Sequence, residues 1–345
     1  MDKLLALFVG FAYYFSHDFA EAIEKTPDTL LRRFFQFNCC LWFRFAVQVM
    51  NSRFRVVAIL AFRNESYYAR TCIEHLIAEG IKCVVIDNES DDNTLDICRE
   101  YYPEHVIAID SVPYPGYYDW QAILRRKDSF RQSIDSDWFI HHDADEIMHS
   151  NRPGETLLEA IARVDREGYN AIDFDEFVFV HENDSVDYEG QNYYEKMRYY
   201  YRFQPVTDHP RLVRAYSSSV RGEIAGTGGH APRVGNMRIC PEKMVLRHYI
   251  SLSKAHAIRK YGHRNYSEGE LRKGWHRNRV GVKHERYRAP DQQKLHRLGD
   301  DLRALDYANP YSEHFWHWGD FRWFMLRRKK RLTALGTRIL RRFGK

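Results

Sequence analysis

Several absences narrow this sequence before any motif is read. The six cysteines (Cys39, Cys40, Cys72, Cys83, Cys98 and Cys240) include no C-x-x-C pair, which argues against a zinc site. Four of them sit in apolar or helix-like stretches, as small buried hydrophobes of a reducing compartment do. There is no internal repeat and no low-complexity segment. The formal net charge is only +5, too small an excess to argue for nucleic acid. A spanning helix needs about 20 apolar residues, and the run from Leu4 to Phe15 stops short at Ser16-His17-Asp18. Its start is not basic and no small-residue cleavage site follows, so it does not read as a signal peptide. What is present is 44% hydrophobic and 29% charged residues over 345 positions, enough for a sizeable core.

Periodicity becomes readable at Arg55. Val56 to Ala61 is an unbroken apolar run of strand length, as expected of a buried parallel strand. Helix over Tyr67 to Ala78, closed by Gly80, strand over Lys82 to Ile86 and helix over Thr94 to Tyr101 follow. Strand His105 to Ile109, helix Trp120 to Ser133 and strand Trp138 to His142 continue the alternation. A helix from Glu155 to Glu167 and a strand from Ala171 to Phe174 come next. This alternation predicts an α/β fold, a mainly parallel sheet with helices on both faces. Ligands of such sheets bind at the carboxyl ends of the strands. Polar clusters stand at three of those ends: Asn64-Glu65, Asp87 to Asp92, and Asp143 to Glu146.

The carboxylates of Asp143-Ala144-Asp145-Glu146 repel one another unless a cation lies between them. A divalent metal on oxygen ligands answers that, and in phosphate chemistry it neutralises a departing diphosphate; a solvated acidic turn is the plainer alternative. Asp87 can accept from a base N–H or a ribose hydroxyl, while Ser90, Asp91 or Asp92 can cap the next helix. A base for deprotonating an acceptor hydroxyl is sought among Asp175, Glu176, Glu182, Asp184 and Glu223. Asp175 and Glu176 directly follow the strand predicted to end at Phe174, which would aim one of them into the cleft. The loop Phe62-Arg63-Asn64-Glu65 has no glycine, which argues against a nucleotidyltransferase, whose triphosphate cradle is usually glycine-rich.

The segments Val56 to Glu65, Val84 to Thr94 and Phe139 to Glu146, taken in order, resemble glycosyltransferase family 2. They are similar to the branch with Asp-x-Asp-Glu and a later His-Tyr, here His248-Tyr249. The resemblance spans roughly Arg55 to Arg264 and implies the GT-A fold and a nucleotide-diphosphate sugar as donor. It implies that Asn64, Glu65 and Asp87, with Ser90 and Asp91 beside them, lie near the nucleoside. It places Asp143 and Asp145 against the diphosphate and a manganese or magnesium ion, and brings His248 to the same metal. Gly226-Thr227-Gly228-Gly229-His230 resembles the Gly-Thr-x-His-like segment of that branch; a loop closing over donor or acceptor would need such glycines, an ordinary surface turn being the alternative, and His230 is the expected donor contact. The clear Glu-Asp pair that simple family 2 members use as base is missing, so Asp175, Glu176 and Glu223 share the base assignment. An inverting transfer is expected.

The expected organisation is a helical extension over 1–52, either a packed helix pair or a segment on a membrane surface, a GT-A domain over 53–290 and a basic helical tail over 291–345. Cations interleaved with Leu332, Leu335, Ile339, Leu340 and Phe343 suit either a solvated helix end or an amphipathic helix on a membrane. The tyrosines between Val186 and Phe203 offer faces for an acceptor sugar or simply pack. Expected partners are the nucleotide-sugar and a glycan or lipid-linked acceptor, as in polysaccharide or glycolipid synthesis, without nucleic acid. The expected site is cytoplasmic, at the inner face of a membrane if the tail lies there. The alternatives are a nucleotidyltransferase and a non-catalytic GT-A-like module that binds glycans or docks at a membrane.

Overall fold

The structure, a computed structural model, describes residues 54–205, 210–232, 234–321 and 323–325. The expectations for residues 1–52 and for the basic stretch 327–345 lie outside the described residues. From Arg55 onward the described residues belong to one compact unit.

The predicted alternation is present. Strand β1 (Val56–Phe62) is followed by helix α1 (Ser66–Ala78), β2 (Lys82–Asp87), α2 (Thr94–Glu100), β3 (Val106–Ser111), α3 (Trp120–Ser133) and β4 (Trp138–His141). β4, β1, β2 and β3 lie side by side and parallel. Their β-branched and apolar runs are buried on both faces, as a sheet covered by helices requires. On one face Trp120, Ile123 and Leu124 of α3 pack on Ile59, Val84, Ile86 and Phe139.

Beyond β4 the pattern changes. β5 (Glu146–His149) follows the acidic run directly, then α4 (Leu157–Arg166) and β6 (Ala171–Phe179). A full capping box, Thr156 with Glu159, starts α4. α5 (Tyr193–Lys196), β7 (Tyr199–Phe203), β8 (Val213–Ser217) and β9 (Met244–Tyr249) complete the site's framework. β8 is antiparallel between β4 and the start of β6. The outer half of β6 leaves β8 and pairs instead with β9, in parallel, and with β7. β5 lies antiparallel on β9.

α6 (Lys254–Ala257), a π-helical turn at Ile258–Gly262 and α7 (Glu268–Lys273) follow. Residues 291–318, assigned to a tail on sequence, pack on this half. β10 (His296–Arg297) pairs with β7, and Phe315 and Trp316 join Val178, Tyr201, Tyr261 and Tyr287 in a second buried cluster. The tyrosine-rich segment turns out to be packing: Tyr193, Tyr200 and Tyr201 are buried, with Tyr193 edge-on to Tyr249 at 4.7 Å. Among the described residues no helix is long and apolar enough to cross a membrane. The described cysteines, Cys72, Cys83, Cys98 and Cys240, are buried free thiols.

The interior holds histidines that burial keeps neutral. Burial lowers His75 and His181 to about 4 and His149 to about 3. In the unfolded chain each titrates near 6.5, so below that pH the unfolded state binds more protons and stability falls. Each contributes a slope of up to about 1.4 kcal/mol per pH unit until its folded value is reached. Burial likewise lowers His142 to about 3 and His230 to about 4, while Glu146, raised by burial to about 7, and Glu65, Glu79 and Asp128, also raised, act in the opposite sense as the pH falls; the histidines with the larger shifts outnumber them. The expected outcome is a melting temperature that drops on acidification from pH 7 to pH 5. A thermal melt series at constant ionic strength checks it, and a flat profile would contradict the burial of these imidazoles.

Candidate active site

The carboxyl ends of β1 and β4 and the outer halves of β6 and β9 surround a cavity of about 400 Å³. Asp143 and Asp145 sit in the turn between β4 and β5, with Glu146 as the first residue of β5. The antiparallel register sets Glu146 opposite His248 of β9, so the two share one face of the sheet. Glu176 of β6 lies diagonal to His248 across the parallel β6–β9 pairing and reaches it on the same face.

The polar groups form a continuous lattice. His248 donates from Nδ1 to Glu176 Oε1 at 2.6 Å, and its Nε2 faces Asp145 Oδ2 at 3.4 Å. Lys260, from the π-helical turn, bridges Asp145 Oδ2 and Glu65 Oε2, both at 3.0 Å. Asp143 lies between Lys127 Nζ of α3 at 3.2 Å and Arg214 of β8 at 3.3 Å. Arg214 also grips Glu146 at 2.6 Å, and Arg211 pairs with Glu176.

These contacts set the charges. Burial would raise the Asp145 carboxyl, but the Lys260 ammonium and His248 hold it well below the usual carboxylate range. Burial would lower His248; the Asp145 and Glu176 carboxylates outweigh it and hold the imidazole up to about 10. Asp143 and Glu176 are likewise held low against burial, by Lys127 and Arg214 in one case and by Arg211 and His248 in the other.

The sequence candidates sort clearly. Glu65, Asp143, Asp145, His230, His248 and Glu176 all line the cavity. Asp175 and Glu223 do not. β6 runs on to Phe179, so Asp175 and Glu176 are successive strand residues on opposite faces. Asp175 faces away and pairs with Arg202, while Glu223 is exposed outside the cavity. Of the three candidates for the base, Glu176 alone faces this cavity.

Asn64 lines a second cavity, also of about 400 Å³, that shares Glu65, Tyr118, Lys260 and Arg264 with the first. Ser90 and Asp91 line neither cavity; they brace Asn64. Ser90 Oγ accepts from Asn64 N at 3.0 Å, and Asp91 exchanges two bonds with the Asn64 side chain. Of the residues expected near the nucleoside, Asn64 and Glu65 line this second cavity, with Ser90 and Asp91 behind Asn64. Asp87 is buried, with Oδ2 accepting from Ser90 N and Oδ1 left without a partner.

The glycine-rich segment is fastened over the cavity. Trp120 Nε1 donates to Gly228 O at 2.9 Å, and Arg214 to Gly229 O at 3.3 Å. Gly229 has a φ of +82°, and a Cβ there would stand 2.8 Å from His141 Nε2, so only glycine fits.

Which residues suit a metal can be judged from the donors. A carboxylate oxygen of Asp145 and an imidazole nitrogen of His248 converge, and a carboxylate fixes the other ring nitrogen, a common arrangement behind metal-binding histidines. Asp143 is spent on Lys127 and Arg214. Among the described residues no group of three or more His, Cys, Asp or Glu side chains is assembled for a metal. A cation at Asp145 and His248 would take its remaining oxygens from phosphate and water.

The cations were not singled out in the sequence. Lys127, Arg211, Arg214 and Lys260 come from α3, the loop before β8, β8 itself and the π-helical turn, and no short motif links them.

The family model for glycosyltransferase family 92 matches residues 57–289. The chain belongs to that family. The motifs alone resembled family 2; the transferase stands, and the family is 92. Solved structures similar to this family 92 chain include S. aureus TarS 1–349, at 12% identity and TM-score 0.37, over 56% of this chain and 60% of that one. The same TarS fragment in complex with UDP matches at 12% identity and TM-score 0.33, over 63% and 68%. Glucosyl-3-phosphoglycerate synthase from Mycobacterium tuberculosis, with Mn2+, UDP and glucosyl-3-phosphoglycerate, matches at 16% identity and TM-score 0.26, over 38% and 47%. The first of these matches spans less than two-thirds of the TarS 1–349 chain. No curated protein sequence matches the family 92 chain.

Proposed function

We propose that this GT-A-type domain moves a sugar from a nucleotide-diphosphate donor to a hydroxyl of a glycan or lipid-linked acceptor, with a divalent cation, manganese or magnesium, held at Asp145 and His248. The observation that carries the reading is the meeting of Asp145 and His248 at the carboxyl ends of the parallel strands, with Glu176 locking the far side of the imidazole. The cation, when bound, neutralises charge on the departing diphosphate. Asp145 and His248 would hold the cation; Lys260, which pairs with both Asp145 and Glu65, would keep Glu65 as its partner. His248 must then be neutral, so cation uptake releases a proton.

The nucleoside is assigned to the second cavity, beside Asn64, Arg63 and Tyr114. Asp87, buried at the end of β2, lines neither cavity; its Oδ2 accepts from Ser90 N, and Ser90 in turn braces Asn64, so its assigned role is to hold the wall of the second cavity from behind. The sugar and acceptor are assigned to the first cavity, where Trp120, Trp275 and Phe203 supply aromatic faces. Glu176 is assigned to orient His248 rather than to accept the acceptor's proton, because Arg211 and His248 hold it ionised and engaged. Exposed Phe321 and Phe324 stand just before the basic stretch 327–345, which supports a lipid-linked acceptor met at the cytoplasmic face of a membrane.

A panel of nucleoside diphosphates and their sugars, with and without manganese, tests the reading by thermal shift. The expected result is stabilisation that needs both the metal and one particular base. No shift with any donor at saturation would overturn it and favour a binding module.

A further inference from the structure

Five Lys or Arg side chains line the first cavity, and three of them are paired with carboxylates: Arg211 with Glu176, Arg214 with Asp143 and Glu146, Lys260 with Asp145 and Glu65. Arg264 and Arg279 are different. Among the described residues neither guanidinium has a carboxylate or hydrogen-bond partner; each rests on an aromatic ring. Arg264 Cζ lies 4.6 Å from the centre of the Tyr118 ring, and Arg279 Cζ lies 4.9 Å from that of Tyr261. Tyr261 stands between them, with Arg264 Cζ also 6.0 Å from its ring. Arg279 Nε is buried without a partner.

A partly buried guanidinium without an anion is costly, and a ring face compensates only part of that cost. Arg264 also lines both cavities, so it stands at their junction. We infer that Arg264 and Arg279 form a built-in anion site for the diphosphate of the donor, acting independently of any metal. The inference rests on the proposed donor reading, since the junction is where the phosphates of a nucleotide-sugar spanning both cavities must lie.

The two free positive charges match the two negative charges of a nucleotide-sugar diphosphate. As the bond between the sugar carbon and the phosphate oxygen breaks, its electron pair stays on that oxygen and the diphosphate gains a further charge. Planar donors fixed on tyrosine rings are already oriented toward that charge.

Calorimetric titration of the full chain with inorganic pyrophosphate in EDTA tests this. Wild type is expected to bind, and Arg264→Gln and Arg279→Gln are each expected to weaken binding roughly tenfold or more. Arg272→Gln removes the same charge from a side chain that is 78% exposed outside the cavity, and is expected to bind as wild type does. Pyrophosphate is also expected to shield Arg264 and Arg279, but not Arg272, from phenylglyoxal in the wild-type protein, a readout that needs no variant to fold. Unchanged affinity in both Gln variants, or an absence of shielding, overturns the inference. The donor reading is separately at stake in the nucleotide panel with manganese: a protein that binds pyrophosphate in EDTA but no nucleoside diphosphate with metal keeps the anion site and loses the donor.

Discussion

Asp145→Asn is expected to lower glycosyl transfer by roughly 10³-fold, the scale of removing one strong electrostatic contact to a developing charge, while leaving the fold in place. Asp145 is the carboxylate on which the lattice converges, with Lys260 at 3.0 Å and His248 Nε2 at 3.4 Å on the same oxygen. Asparagine keeps the shape and one acceptor oxygen but removes the charge that a cation or the ammonium needs. The fold is expected to survive because each partner keeps a second carboxylate: Lys260 keeps Glu65, and His248 keeps Glu176. The Asp145 backbone carbonyl still accepts from Tyr249 N at 2.7 Å, so the turn stays tied to β9. Initial rates at matched donor and acceptor, beside a melt of each protein, make the measurement. A folded Asp145→Asn protein with near wild-type rates would remove Asp145 from the reaction. Loss of manganese-dependent nucleotide binding in the same variant would tie the effect to the donor side.

The first half of the fold was legible because its strands are buried on both faces. Val56 to Ala61, Val84 to Ile86 and Phe139 to Ile140 are apolar runs too short for helices, and helices of ordinary length separate them. Their parallel order then placed the polar clusters at one end of the sheet. The link from Glu65 through Lys260 to Asp145 is that convergence, made by residues 80 positions and more apart in the chain.

The second half was harder to read for identifiable reasons. β5 is four residues long with a glutamate first and a histidine last; alone it resembles loop, and it is strand only because β9 pairs with it. β6 looked finished at Phe174 because Asp175 and Glu176 interrupt its apolar run, yet Phe177 to Phe179 continue it between β7 and β9. That misplaced end made Asp175 and Glu176 look equivalent, whereas strand alternation sends them to opposite faces. The cations had no local signature at all. Basic residues are frequent in this chain, and which of them face the cavity is decided by β8 and by the segment from Lys254 to Arg279, whose packing is tertiary. His248 was found by family resemblance; periodicity would not have marked it.

The largest expected loss of stability comes from Lys127→Met. The Lys127 side chain is 1% exposed, and its ammonium contacts Asp143 Oδ1 at 3.2 Å, His142 O at 2.6 Å and His141 Nδ1 at 3.1 Å. Burial lowers the ammonium's pKa, with Asp143 pulling it back up, so the charge depends on that carboxylate. Methionine keeps a similar length of apolar chain on α3 but leaves Asp143 with Arg214 alone, and Arg214 is shared with Glu146. Breaking a fully buried pair by removing one partner costs about 3–5 kcal/mol; Asp143 keeps 27% exposure toward the cavity, so the expected cost here is about 2–3 kcal/mol. For a unit of this size, with an unfolding entropy of about 2.1 cal/mol/K per residue, that corresponds to a melting temperature lower by roughly 3–5 °C. The double variant Lys127→Met with Asp143→Asn separates the explanations. If the cost is an uncompensated buried charge, removing the carboxylate as well restores part of the lost stability, and the two changes are non-additive by more than about 1 kcal/mol. If the cost is lost packing along α3, the double variant is worse than either single one. A single variant that melts within a degree of wild type would mean that Arg214 and the water of the cavity compensate Asp143 without Lys127.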